Sequence, residues 1–314
     1  MLKAIGLGVL ASLFFASTFV VNQLMAVHGG SWLFSSSLRY FYTVPLFLLW
    51  VLLQRELGSL FRLMRKNIWP WIIWGTVGFG LFYGPLTYAA QYGPSWAIAA
   101  TFQLTIVFGS LLVPVTTHQP IPWRSLWPSV LILLGIFIVQ WHGQLSMSGQ
   151  QVGSFVAVMV AALAYPLGNR EMMAWTQGQV HAPARIFGMT LGSLPFWIVL
   201  AAIGMKTVGP PPVWQWEQTF IVAMASGVIA TALFFGATDQ AHGHPVILAK
   251  IEATQSMEIV FTVVLAQIFH LSGTLRGYDE LGIGLVIAGM IWHSLKAPLP
   301  IAVSTVQKSK SSSD

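Results

Sequence analysis

Thr101-Phe-Gln-Leu-Thr-Ile-Val-Phe108 and Thr254-Gln-Ser-Met-Glu-Ile-Val-Phe261 align without a gap at an offset of 153 residues. Each stretch lies inside a long apolar run. Leu81-Phe-Tyr-Gly84 and Leu233-Phe-Phe-Gly236 repeat the relation at an offset of 152. Asn22 matches Asn169, and Gly135 matches Gly289. Apolar helices resemble one another, so each match says little by itself. Their shared order and nearly shared offset describe one duplication, with residues 1–146 as the first copy and residues 147–300 as the second.

The runs that carry these stretches fill most of the chain. Of 314 residues, 55% are hydrophobic and 8% are charged, against about 25% charged in a soluble domain. A helix needs about 20 apolar residues to cross the hydrocarbon core of a bilayer. No water is available there, so each crossing segment must bond its own backbone. The runs are long and do not alternate, which selects helices over a barrel. Ten spans are expected, at 2–26, 31–53, 69–91, 94–114, 126–142, 151–173, 184–205, 218–240, 245–269 and 279–296. Gly29-Gly30, Gly93-Pro94, Gly209-Pro210-Pro211-Pro212 and Gly243-His244-Pro245 supply tight connections.

Five spans per copy is an odd number, so the second copy enters the membrane from the opposite side. The expected fold is an all-α membrane protein of ten transmembrane helices in two inverted five-helix repeats. Such repeats characterise secondary transporters, whose substrates bind near the midplane between the halves. With the N-terminus inside, the cytoplasmic segments hold Lys3, Arg55, Arg62, Arg65, Lys66, Arg124, Arg170, Arg185, Lys296, Lys308 and Lys310. The outer segments hold Lys206 and Arg276. This asymmetry is the positive-inside pattern; it places both termini in the cytoplasm and accounts for the net charge of +6 without a nucleic-acid partner. Fourteen Trp suit the two membrane interfaces. Residues 301–314 read as a disordered, Ser/Lys-rich cytoplasmic tail. The chain has no Cys, hence no disulfide and no thiolate metal site.

Phe14-Phe-Ala-Ser-Thr-Phe-Val-Val-Asn22, Gly29-Gly-Ser-Trp32, Ser37-Leu-Arg-Tyr40 and Tyr165-Pro-Leu-Gly-Asn-Arg170 resemble the ten-span bacterial multidrug resistance efflux transporter branch of the drug/metabolite transporter superfamily. The resemblance covers essentially the whole chain. It implies a central cavity lined mainly by spans 1–4 and 6–9, with spans 5 and 10 at the periphery. The chain departs from the four-span small multidrug resistance proteins of that superfamily, which carry a Glu in their first span. Here span 1 has no acid, and its repeat equivalent has none before Glu171.

Ionisable residues inside spans cost roughly 2.5–3.5 kcal/mol each and mark candidate sites. Arg39, Lys250, Glu252 and Glu258 are such residues, and Asp239 lies near the inner end of span 8. On a continuous helix, Lys250, Thr254 and Glu258 share one face, Gln255 flanks it, and Glu252 points about 160° from Lys250. The equivalent face of span 4 reads Ala97, Thr101 and Thr105, with Gln103 close by. Low dielectric favours a neutral acid and a nearby cation favours the carboxylate. Glu258, with Glu252, is therefore the candidate for holding a proton or a cationic substrate. The competing reading is a structural ion pair involving Lys250 or Arg39.

Tyr83, Tyr88, Tyr165, Trp74 and Phe102 are candidates for an aromatic cage around a flat or cationic ligand. Asn22, Gln91 and Asn169 suit either cavity lining or helix–helix hydrogen bonding. His142, His242, His244 and His293 sit at span ends with no metal-ligand spacing. Gly80 and Gly84 allow close helix approach. The chain contains no nucleotide-binding glycine motif and no supported catalytic triad.

The candidate substrate-binding set is thus Glu258, Glu252, Gln255, Thr254, Lys250, Gln103, Thr101, Tyr88, Tyr165, Asn22, Asn169 and Arg39, with Glu258 and Glu252 as proton-coupling acids. No cofactor and no enzymatic activity are expected. The leading expectation is a secondary transporter in a bacterial inner membrane that exports lipophilic cations or drugs by proton antiport. Its partners are a small-molecule substrate, the proton and the lipid bilayer, and it acts as a monomer or homodimer. The alternative is an exporter or facilitator of metabolites such as amino acids, nucleobases or vitamins, which Lys250 and Arg39 favour through a substrate carboxylate. A membrane-embedded lipid enzyme is a third reading, disfavoured because the acids lie mid-span.

Overall fold

A computed structural model describes residues 2–117, 120–121, 123–141, 148–240, 245–271, 275 and 277–296. His142, His242, His244, Arg276 and the expected tail at 301–314 lie outside the described residues, as does the side chain of Asp239. Among the described residues every regular element is helical. The helices are α1 (Leu2–Val27), α2 (Trp32–Leu53), α3 (Leu57–Lys66), α4 (69–89), α5 (Ser95–Leu111), α6 (Trp123–Leu126), α7 (Ser129–Trp141), α8 (Gly149–Thr176), α9 (Ala182–Thr207), α10 (213–239), α11 (245–268) and α12 (Gly277–Lys296). Val113–Thr117 forms a further short turn of helix after α5.

Among the described residues, six stretches are long and apolar enough to cross a bilayer: α1, α2, α8, α9, most of α10 (Val213–Thr238) and most of α11 (Lys250–Ile268). Ser95–Leu111 and Ser129–Gln140 are apolar but shorter. α3 is a helix the span list did not contain. Its Leu60, Leu63 and Met64 are buried while Arg62, Arg65 and Lys66 are exposed, so it lies amphipathically against the bundle.

Four helices depart from regular α geometry near their middles. α4 contains a π-helical stretch at Thr76–Gly80, and α10 one at Ala223–Ile229. α5 is interrupted at Gln103, and α11 tightens into a 3₁₀ turn at Thr254–Ser256. In α11 the cause is local. Thr254 Oγ1 donates to the Ile251 carbonyl at 2.5 Å and Ser256 Oγ to the Ala253 carbonyl at 2.8 Å. Hydroxyls bonded three residues back compete with the regular ladder. Ser12 of α1 then donates to the Thr254 carbonyl at 2.9 Å.

Helices before residue 141 interleave with helices after residue 149. α2 packs on α9, α5 on α11 and α7 on α12, while α1 packs on α10 and α4 on α8. Glycine lets the closest pairs approach. A Cβ on Gly78 of α4 would stand 3.2 Å from Gly168 Cα of α8. A Cβ on Gly135 of α7 would stand 2.7 Å from Val286 Cγ2 of α12. Gly80 and Gly84 together seat the ring of Phe196 on α9.

Candidate functional site

A cavity of about 210 Å³ opens between α1, α2, α4, α5, α8, α9, α10 and α11, and no described residue of α7 or α12 lines it. Its polar lining gathers near the helix midpoints: Arg39 and Thr43 of α2, Gln103 and Thr105 of α5, Tyr165 and Asn169 of α8, Ser226 and Thr231 of α10, Gln255 and Glu258 of α11. Each of the four irregular segments adjoins this space. Irregular backbone inside a membrane helix is tolerated where it lines a cavity, and π segments recur at functional positions.

Glu258 faces the cavity, and no described side chain hydrogen-bonds or ion-pairs with its carboxyl. Gln255, one turn before it, faces the same space. Tyr165 lies within electrostatic reach of both Glu258 and Arg39. Its ring packs on Phe82 at 4.8 Å between centroids, and Phe82 in turn on Phe102 at 5.4 Å. These rings form the apolar wall.

Arg39 is 9% exposed. Its guanidinium carbon stands 3.9 Å from the centroid of the Tyr83 ring, and Nη2 donates to Ser226 Oγ at 3.0 Å. A desolvated cation over an aromatic face is worth roughly 2 kcal/mol, which offsets part of the cost of burial. Asn22 Nδ2 donates to the Tyr83 hydroxyl at 2.9 Å and fixes the ring beneath the cation. Tyr40, next to Arg39, stacks on Trp197 with centroids 4.4 Å apart. Arg39 Nη1 is buried and has no hydrogen-bond partner among the described residues.

Of the residues singled out in the sequence, Glu258, Gln255, Gln103, Tyr165, Asn169, Arg39 and Phe102 meet at the cavity. The others lie elsewhere. Thr254 packs against Gly8 of α1, and Lys250 and Glu252 are outside the lining, with Glu252 exposed. The 3₁₀ turn explains the separation. Each 3₁₀ residue turns the chain by about 120° rather than about 100°, so three residues add about 60°. Glu258 is thereby swung off the face of Lys250 and Thr254.

Thr101 faces α7, where Gln140 Nε2 donates to its Oγ1 at 2.6 Å. Tyr88 packs on Trp32 and Tyr92 at the opposite end of α4 from Trp69. Asn22 acts through Tyr83, and Gln91 donates to the Gly30 carbonyl at 3.0 Å. Trp74 packs into the apolar core, and His293 lies 3.3 Å from Ser129 Oγ. Tyr40, Thr43, Thr190, Ser226 and Thr231 line the cavity without having been singled out. Thr43 was the most accessible of these, since it follows Arg39 by one helical turn.

A family model described as "EmrE: Putative multidrug resistance efflux transporter" matches residues 2–298. The chain is 46% identical over 307 residues to "Uncharacterized protein YjlA" of Bacillus subtilis (strain 168), covering 93% of this chain and 94% of that protein. It is also 46% identical over 266 residues to an "Uncharacterized 42.1 kDa protein in intracellular alkaline protease 3'region" of Shouchella clausii, covering 82% of this chain and 70% of that protein. A crystal structure superposes with a TM-score of 0.62 at 13% identity, covering 93% of this chain and 96% of that one; it shares the fold.

Proposed function

Because the chain belongs to the multidrug resistance efflux transporter family, a family of membrane transporters and not of enzymes, we propose that it exports small organic molecules by alternating access, in exchange for protons carried by Glu258. One observation carries this reading: a carboxyl group with no described partner faces a cavity midway along the helices. A protonated amine or other cation with an aromatic body fits there, with its charge at Glu258 and its rings on Phe82, Phe102 and Tyr165. Gln103 of α5 and Gln255 of α11 both line the cavity and supply neutral hydrogen-bonding groups.

The ten-span, two-repeat architecture is part of this proposal. If α1, α2, α4, α5 and α7 correspond to α8, α9, α10, α11 and α12, the pairs α2–α9, α5–α11 and α7–α12 map onto themselves, and α1–α10 maps onto α8–α4. The π segments then fall in corresponding helices, and the α5 and α11 interruptions fall at corresponding residues. Such a pattern supports a pseudo-two-fold axis through the cavity, and with it two mirrored packings of similar energy that open the site to either side. The positive-inside asymmetry supports cytoplasmic termini in a bacterial inner membrane. One chain encloses a whole cavity, so a monomer suffices.

Arg39 favours one second reading, a metabolite facilitator without proton coupling. Substrate-induced proton release from purified protein in weak buffer separates the two. We expect lipophilic amines to release about one proton per molecule bound, from a single carboxyl, and Glu258→Gln to reduce release to background while the protein stays folded. Binding with no release in the wild-type protein refutes proton exchange at Glu258 and leaves the facilitator.

A further inference from the structure

We infer that Arg39 is a carboxylate-binding subsite, and that the transported molecule is amphoteric, with a carboxylate for Arg39 and an amine for Glu258. This rests on the transport reading only in taking the cavity as the substrate site.

Arg39 and Glu258 are the charged side chains lining the cavity among the described residues. They do not form an ion pair with each other or with any other described residue. Arg39 is held in place rather than neutralised: Tyr83 lies under the plane of its guanidinium, Ser226 takes one nitrogen, and Nη1 is left over. A structural arginine of this burial would normally spend all its donors, because a buried cation without a counter-charge is strongly unfavourable. Nearby groups make the local field more positive still. Arg185, on α9 beside the cavity residue Ile186, also acts on Tyr165. Its Nε is buried without a hydrogen-bond partner.

The missing partner is therefore an anion that arrives with the substrate. A planar guanidinium pairs with a carboxylate through parallel hydrogen bonds; Arg39 lines the cavity with its Nη1 enclosed and unspent, so the fork has to turn toward the ligand to form the pair. A ligand that is only a cation leaves Arg39 unpaired and adds a second positive charge to the same small space. A ligand that is only an anion leaves Glu258 unused. A molecule carrying both charges satisfies both walls, and the rings between them take its apolar body. Such a molecule enters with its own charges compensated.

Two sets of probes differing only in charged groups test this on the purified wild-type protein by calorimetry. One is phenylalanine, 2-phenylethylamine and 3-phenylpropionate, with both charges at one end. The other is 4-(aminomethyl)benzoate, benzylamine and benzoate, with charges at opposite ends of the ring. In at least one set the amphoteric member should bind about tenfold or more tightly than both single-charge members, as a charge-assisted hydrogen bond implies. Arg39→Lys, which keeps the charge but loses the fork, should shrink the ratio of amphoteric to amine affinity about tenfold. Should Arg39→Lys fail to fold, the wild-type comparison alone decides.

Amines binding as tightly as their amphoteric partners, or no binding of any carboxylate-bearing probe, overturns the proposal. Proton release by amines at Glu258, measured separately in weak buffer, would leave the transport reading standing while this one falls.

Discussion

α5 and α11 carry similar short sequences, break near their middles and line the same cavity, yet one is neutral and the other charged. Near the break, α5 lines the cavity with Gln103 and Thr105 and α11 with Gln255 and Glu258. The aligned threonines at the breaks both lie outside the cavity lining and each takes part in a tertiary hydrogen bond, one through its side chain and the other through its backbone. Thr101 accepts from Gln140 of α7, and the Thr254 carbonyl accepts from Ser12 of α1. The difference teaches that the interruption and its anchoring belong to the scaffold. The carboxyl belongs to one of the two helices, and geometry alone does not require it.

That view can be broken by moving the charge. Thr105 is the α5 equivalent of Glu258 and also lines the cavity. Adding Thr105→Glu to Glu258→Gln should restore amine-induced proton release from background to roughly one proton per molecule, measured as above. If release stays at background although the double variant is folded, the two faces are not equivalent and the comparison fails.

A smaller effect is expected at the contact that holds the α11 break. A Cβ on Gly8 would stand 3.3 Å from Thr254 Cβ. Gly8→Leu should overpack this seam and destabilise the protein by about 1–3 kcal/mol, read as a lowered midpoint in detergent unfolding. An unchanged midpoint would mean that α1 does not brace α11. Smaller still are the two anchors themselves. Ser12→Ala and Gln140→Ala each remove one tertiary hydrogen bond to the aligned threonines and should each cost about 1 kcal/mol. A cost at one site and none at the other would show that only one break is anchored.

Much of this site could be read from residue type, because a charge or amide in an apolar helix stands out. Glu258, Arg39, Gln103, Gln255 and Asn169 were visible for that reason, and they converge. The phase of α11 was not visible. Ala253-Thr254-Gln255-Ser256 contains neither Gly nor Pro, and the hydroxyl bonds that tighten it form only in the folded chain. Lys250 and Thr254 consequently joined Glu258 on a face that the folded helix does not keep. The hydroxyls of Thr190, Ser226 and Thr231 were hidden among many like them. Asn22 was legible as polar, but its role under Tyr83 depends on a ring 61 residues away in sequence. α3 escaped the span list because its apolar residues form one face and not a continuous run.

The interleaving of early and late helices also sets a timetable. A chain is made from its N-terminus at about 5–20 residues per second. Ser12 finds the Thr254 carbonyl across a separation of 242 residues, and Gln23 finds the Leu271 carbonyl across 248. The first helix is therefore complete roughly 10–50 s before the late partners of Ser12 and Gln23 exist. During that wait α1 must sit in the membrane, or in the machinery that inserts it, with those groups uncovered. Nascent chains of this protein thus pass through a long juvenile period in which the first helix to be made is among the last to be settled.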